Sequence, residues 1–392
     1  MMMKILFFIS VHGHGRGGHF HSLNHISRKL GEENDVRIIS IGPGKSDIIE
    51  SNPHFRKHIN YKGFNILKLR RVIKNEIKIF SPDIYHCFDV GSYNIIRLII
   101  SSKKHRVVLN KCGGPNPVEF PCVKNIVLFS KENQEWFEGQ NKFKKTNVFL
   151  IPNRVIPLEL ITDYHPINKE KDDFVFVRIC RIGLNYKKSI LDSMNLISKL
   201  YESNFKKIKL YIIGAVEDED VLKDLKYNEH FINGRIVFLT QSEYTSEASK
   251  MLYLADAVIG TGRGLMEAAS LKKPILAIDK NRNIPVLLDE NHFMDAFKTN
   301  FSERNTFKDL NTHDNLNNIS NLIYNLNYYN EVSSFAYNCF NMYFNINKVT
   351  ELYISAYNKS DTFRRKILND SPMILKTIIS FFRSFLKSKN KI

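Results

Sequence analysis

The chain has 392 residues, and its 57 Lys+Arg against 40 Asp+Glu give it a net charge of +17. At 43% hydrophobic and 25% charged, with 18 Gly and 12 Pro, its composition is that of a globular protein with room for two large domains, and excludes disordered and fibrous chains. Apolar runs such as Ile5 to Ile9 fall far short of the roughly 18 to 20 residues of a membrane span.

The opening residues have neither the apolar core nor the small-residue cleavage site of a secretion signal. The five cysteines are scattered without a C-x-x-C, so a cytoplasmic protein without a disulfide framework is expected. The excess of cations calls for an anionic partner: nucleic acid, a phosphorylated small molecule or acidic lipid. No basic motif is interleaved with aromatics, and the charge is spread out, which argues against nucleic acid.

Along the chain, short apolar runs alternate with helical patterns. Strands are expected at Ile5 to Val11, Val36 to Ile41, Ile84 to Phe88, Val107 to Asn110, Ile126 to Ser130 and Asn147 to Pro152. Phe20, Leu23, Ile26 and Leu30 have the spacing of one helix face. A polar, Pro-containing stretch from Pro157 to Asp173 reads as a linker. Strands then resume at Phe174 to Ile179, Leu210 to Gly214, Ile236 to Leu239, Ala257 to Gly260 and Pro274 to Ile278, with a helix at Ser189 to Leu200. Two successive α/β domains with parallel, doubly covered sheets follow, at 1–160 and 168–345, with helices at 346–392.

Three strand-to-helix loops suit anions. VHGHGRGGHFH carries Gly13, Gly15, Gly17 and Gly18 between a strand and a helix, where glycine lets backbone N–H groups approach a phosphate. Gly13, Gly15 and Gly18 fit G-x-G-x-x-G, but the second strand ends in Ile-Ile-Ser-Ile without the acidic residue of a dinucleotide site. His12, His14, His19 and His21 crowd this loop without adjacent carboxylates, so no metal site is expected. In CRIGLNYKKSI, Arg181 and Lys187 flank a glycine loop that enters a helix, and two fixed cations beside a helix N-terminus suit a diphosphate without a metal. In AVIGTGRGLMEAAS, a glycine turn precedes Glu267, which stands early in a helix where it can accept hydrogen bonds from a ribose diol. Asp218-Glu219-Asp220 formally fits a D-x-D metal motif but reads as an acidic helix start before VLKDL.

These segments, in this order, resemble the retaining glycosyltransferases of family 4. The resemblance covers most of residues 3–345. It rests on the Gly17-Gly18 loop, PDIYH at Pro82 to His86, LIPNRV at Leu150 to Val155, Arg181 with Lys187, YIIG at Tyr211 to Gly214, and GLMEAASLKKPILA at Gly264 to Ala277. It implies a GT-B fold: two Rossmann-like doubly wound domains facing across a cleft, plus C-terminal helices. The acceptor would bind the first domain and the nucleotide-sugar the second. Arg181 and Lys187 would hold the donor diphosphate, Gly18 would approach it from the first domain, and Glu267 would contact the ribose. Arg181, Lys187 and Glu267 form the implied catalytic set. Gly17, Gly18, Gly214, Gly262, Arg263 and Glu267 form the implied donor-binding set, with no further cofactor.

The sequence departs from the family in three places. The first Glu of E-x7-E is replaced by Ile259, so the sugar contact falls to Arg263 or backbone amides. Arg154 follows Asn153 where glycine is usual, and Lys111 with Gly113-Gly114 stands where the family often has a histidine. The expected activity is transfer of a sugar from a UDP- or GDP-sugar to a hydroxyl of a lipid-linked bacterial surface glycan, with retention. A GT-B epimerase is the alternative. From Ile374 to Lys387, eight apolar residues share one broad helical face opposite Lys376, Arg383 and Lys387. Such a helix lies in an anionic membrane interface, which would make residues 364–392 a peripheral anchor, or packs against the first domain.

Overall fold

The computed structural model describes residues 2–100, 105–160, 166–362 and 370–389. Two compact units divide the chain: residues 1–154 with 346–392, and residues 155–345. The division falls just before the expected boundary at 160, and the C-terminal helices belong to the first unit instead of forming a third region.

The first unit holds a parallel sheet of β1 (Lys4–Ser10), β2 (Asp35–Gly42), β3 (Phe55–Asn60), β4 (Ile84–Cys87), β5 (Arg106–Lys111), β6 (Asn125–Leu128) and β7 (Asn147–Leu150). Its order is β3-β2-β1-β4-β5-β6-β7. Strand β1 is buried on both faces, as a central strand of a covered parallel sheet must be. Its residues alternate between two cores: Ile5, Phe7 and Ile9 enter one, Leu6 and Phe8 the other. The strand β3 was not expected; it is an edge strand whose side chains are mostly half-buried or exposed, so no apolar run marks it.

The second unit holds β8 (Phe174–Ile179), β9 (Ile208–Ile213), β10 (Ile236–Leu239), β11 (Ala257–Gly260), β12 (Ile275–Ala277) and β13 (Val286–Leu287). Its order is β10-β9-β8-β11-β12-β13, parallel except for β13. Both sheets reverse direction beside their first strand, between β1 and β4 and between β8 and β11.

After the second unit the chain returns to cover both faces of the first sheet. Helix Val349–Asn358 sends Val349, Tyr353, Ala356 and Tyr357 into one core. There the Tyr357 hydroxyl meets His86 Nδ1 at 2.8 Å and Tyr353 donates to Asn110 at 3.0 Å. The tail helix Ser371–Lys389 packs on the other face. Phe381 is fully buried there against Tyr61 and His12, and Thr377 accepts from Asn94 at 3.0 Å. At its start Asp370 is buried with Arg97 at 2.7 Å.

The broad apolar face of this helix therefore splits. Ile374, Ile378, Phe381 and Phe385 form the seam that meets the first unit, while Leu375, Ile379, Phe382 and Leu386 remain exposed. Of the expected basic residues, Arg364, Arg365, Lys366 and Lys391 lie outside the described residues. No described helix is long and apolar enough to cross a membrane.

Candidate functional site

In an open α/β sheet, ligands bind beyond the C-terminal strand ends where the strand order reverses, because the two flanking loops diverge to opposite faces and leave a crevice. In the second unit that point lies between β8 and β11, which pair directly, with Ile259 beside Arg178. The loops leaving these two strands carry Arg181 with Lys187, and Gly262, Arg263 with Glu267.

After β8 the backbone passes through an extended Gly183 and a short turn, Leu184–Tyr186, into helix Lys187–Glu202. The first turn of this helix has no acidic residue, and Tyr186 at its cap makes no side-chain capping bond. Its N–H groups and dipole thus present positive potential that no capping side chain neutralises. Arg181 lies over the Tyr186 ring and donates to its hydroxyl at 2.8 Å and to Glu217 at 2.6 Å. The Tyr186 hydrogen bond is the main cause holding its guanidinium above the ordinary value. Lys187 pairs with Asp224 at 2.9 Å. Both pairs are solvent-exposed, with the Arg181 side chain 59% accessible. Exposed pairs are worth at most about 1 kcal/mol, so an incoming phosphate can displace them.

After β11, Gly262 takes φ +54° and ψ −127°, and a Cβ there would meet nothing within 4 Å. Conformation, not space, demands glycine at this turn. Helix Arg263–Ser270 follows without a side-chain cap. Glu267 is buried and accepts from Arg263 at 2.5 Å across one helical turn. Gly214 has a packing role: its Cβ would sit 1.7 Å from the Cys180 carbonyl oxygen, where β9 leaves the sheet beside the Arg181 loop.

Arg178 was not anticipated. It is fully buried in β8, donates to Ser189 in the first turn of the helix at 2.6 Å, and lies 3.8 Å from Glu303. The signal was an arginine inside the otherwise apolar FVFVRI. It places a further, buried cation at the end of β8, shortly before Arg181 in the chain. Glu217 and Asp224, the carboxylates that hold Arg181 and Lys187, carried no sequence signal.

In the first unit, Gly17 caps helix Gly18–Leu30 and Gly18 opens it. Both have ordinary backbone angles, and a Cβ on Gly18 would meet open space. Packing within the unit therefore gives no reason for glycine at 18, whereas Gly15 and Gly44 are forced by contacts with Ser46 and Gly13. Asn153 accepts from Ser22 of this helix at 2.7 Å, tying the strand end to it. The Lys111 amine closes its own loop, donating to the Gly113 carbonyl at 2.6 Å and to Asn133 at 2.9 Å. Asp218 caps helix Glu219–Lys226, accepting from the N–H groups of Asp220 and Val221 at 3.0 and 3.2 Å. Among the described residues no three His, Cys, Asp or Glu side chains converge as metal ligands.

The two units are thus each a doubly wound α/β domain with a glycine-bearing loop at its switch point. No protein-family model matches the sequence, and no curated protein matches it. Solved structures do. Anabaena Alr3699/HepE in complex with UDP-glucose superposes with a TM-score of 0.60 at 12% identity, over 91% of this chain and 99% of that one. The lipopolysaccharide outer core galactosyltransferase WaaB gives 0.56 at 15% identity, over 90% and 98%. A putative UDP-N-acetylglucosamine 2-epimerase from Listeria monocytogenes gives 0.57 at 12% identity, over 92% and 98%. At these identities the likeness is one of fold. The fold is GT-B, two parallel-sheet α/β domains followed by C-terminal helices.

Proposed function

We propose that the protein is a retaining glycosyltransferase that moves a sugar from a UDP- or GDP-sugar to a hydroxyl of a lipid-linked bacterial surface glycan. The observation that carries this reading is that β8, which leads to Arg181, Lys187 and an uncapped helix N-terminus, pairs directly with β11, which leads to the Gly262–Glu267 turn, at the switch point. When the bond from the anomeric carbon to the β-phosphate breaks, negative charge grows on the departing diphosphate. Arg181 and Lys187 leave Glu217 and Asp224 to meet that charge, and the helix N–H groups add to it. Glu267 turns from Arg263 toward the ribose, and Gly214 keeps the backbone low enough for the base to lie above it. With Ile259 in place of a carboxylate, Arg263 and backbone amides contact the sugar hydroxyls. The acceptor oxygen bonds to the anomeric carbon on the face that the diphosphate leaves, and its proton passes to a departing phosphate oxygen.

The WaaB likeness supports a cell-surface glycan as acceptor. The Listeria likeness favours a second reading, an epimerase, which turns over without an acceptor. Assaying donor turnover with and without lipid-linked glycan separates them: turnover that ignores the acceptor overturns the transferase reading. Thermal-shift screening of UDP-, GDP-, ADP- and dTDP-sugars identifies the donor.

Glu217→Gln frees Arg181 and removes a carboxylate from the phosphate site, so nucleoside diphosphate should bind about two- to fivefold more tightly by calorimetry. Unchanged or weaker binding would place the diphosphate elsewhere. Asp218 is occupied in capping its helix, and two cations serve the diphosphate, so transfer should persist in excess EDTA. Loss of activity that Mn²⁺ restores would return Asp218 and Asp220, or the histidine loop, to consideration as ligands.

A further inference from the structure

The exposed half of the tail helix has a pattern that folding of the first unit does not explain. At 100° per residue, Leu375, Ile379, Phe382 and Leu386 fall within about 60° of one another. The packed seam of Ile374, Ile378, Phe381 and Phe385 lies about 100° to one side. Lys376, Arg383 and Lys387 lie about 100° to the other. The four outer residues are 39 to 57% accessible. Phe64, 55% exposed, joins them from the loop after β3, with its ring 6.4 Å from Phe382 and 6.2 Å from Phe385. Leu67 follows on helix Ile66–Phe80 and is 72% exposed. Single exposed apolar residues are ordinary, but a continuous stripe beside a row of cations marks a contact surface.

A cavity of about 350 Å³ opens beside this stripe, lined among others by Tyr61, Lys62, Phe64, Lys68 and Val72. Lys62 lies over the Phe385 ring, 4.5 Å from its centroid. The Tyr61 hydroxyl is buried, with no hydrogen-bond partner among the described residues. A buried hydroxyl without a partner, two lysines and apolar walls fit a group that is anionic at one end and apolar at the other.

We propose that this face of the first unit docks on an anionic lipid bilayer: the stripe enters the headgroup boundary, and a lipid phosphate sits in the cavity beside Lys62 and Lys68. Charge favours lipid over a second copy of the chain. The tail helix has no Asp or Glu, and helix Ile66–Phe80 exposes Lys68, Arg70, Arg71 and Lys74 while its Glu76 is buried. A two-fold pairing of this face would set its cations against themselves, whereas a bilayer offers acidic headgroups at the depth of the lysines and acyl chains at the depth of the stripe. The proposal rests on the glycosyltransferase reading only for its purpose, bringing the acceptor-side unit to a lipid-linked substrate.

The test is flotation of the full chain with vesicles of phosphatidylglycerol and phosphatidylcholine in equal parts, against pure phosphatidylcholine. The intact protein should bind the anionic vesicles, and less so as salt rises. Ile379→Asp with Phe382→Asp should weaken that binding by about tenfold or more, and Lys62→Gln with Lys68→Gln by roughly threefold or more. All of these side chains except Lys62 are exposed, so melting temperature and the thermal shift by UDP should be unchanged. The proposal fails if the intact chain ignores anionic vesicles at low salt, or if the aspartate variant floats as the parent does. It also fails if that variant instead dissolves a dimer seen by sedimentation, which would make the stripe an interface between copies. Vesicle binding without any response to nucleotides would leave this surface standing and overturn the donor site alone.

Discussion

Arg181→Ala should lower the rate of sugar transfer by roughly thirtyfold to a thousandfold, a loss of about 2 to 4 kcal/mol in transition-state stabilisation. The charge it answers is not present in the bound donor and grows as the glycosidic bond breaks, so kcat should fall along with kcat/KM. The same variant should bind nucleoside diphosphate more weakly, since the free diphosphate carries that charge. Its fold should survive, because the side chain is exposed and its pairs with Glu217 and Tyr186 lie at the surface. Unchanged kinetics in a folded Arg181→Ala protein would remove the diphosphate from this loop. The buried Arg178 gives a contrast: it touches Ser189 and approaches Glu303 inside the unit, so its loss should reduce stability as well as rate.

Asp370→Ala should destabilise the first unit by about 3 to 5 kcal/mol, read as a lower denaturant midpoint. The carboxylate and Arg97 are both almost fully buried, 2.7 Å apart, and the same carboxylate accepts from the Cys122 N–H at 2.9 Å. Removing it takes the carboxylate from a charge that water cannot reach. Asp370→Asn retains an acceptor and should cost less. A loss below about 1 kcal/mol in the alanine variant would mean that water solvates the pair. Cutting the chain after Asp370 is a poor test of membrane docking for a separate reason, the side chains that the tail helix buries. It would strip Phe381 and Ile378 from the core that holds Tyr61 and Tyr93, and failure to float would then reflect an unfolded unit. The exposed stripe can be altered without touching that seam.

Much of the architecture was legible because its causes are local. Runs such as ILFFI and VFV are apolar at every position, which only a strand covered on both faces requires, and their alternation with helical spacing dictates parallel sheets. The loops that carry Arg181, Lys187, Gly262 and Glu267 were legible for the same reason: strand, glycine, cation and helix follow one another within a dozen residues. Tertiary structure alone decided the rest. The edge strands β3 and β13 have little or no periodicity of their own and exist because a neighbour pairs with them. The carboxylates that hold Arg181 and Lys187 lie 36 and 37 residues away. The apolar face of the tail looked uniform in sequence, and contacts with Tyr61, Asn94 and Arg97 of the first unit bury one half of it and leave the other exposed. Those partners lie some 270 to 320 residues earlier, and the spacing of residues along one helix records which side chains share a face but not what the rest of the chain brings against it.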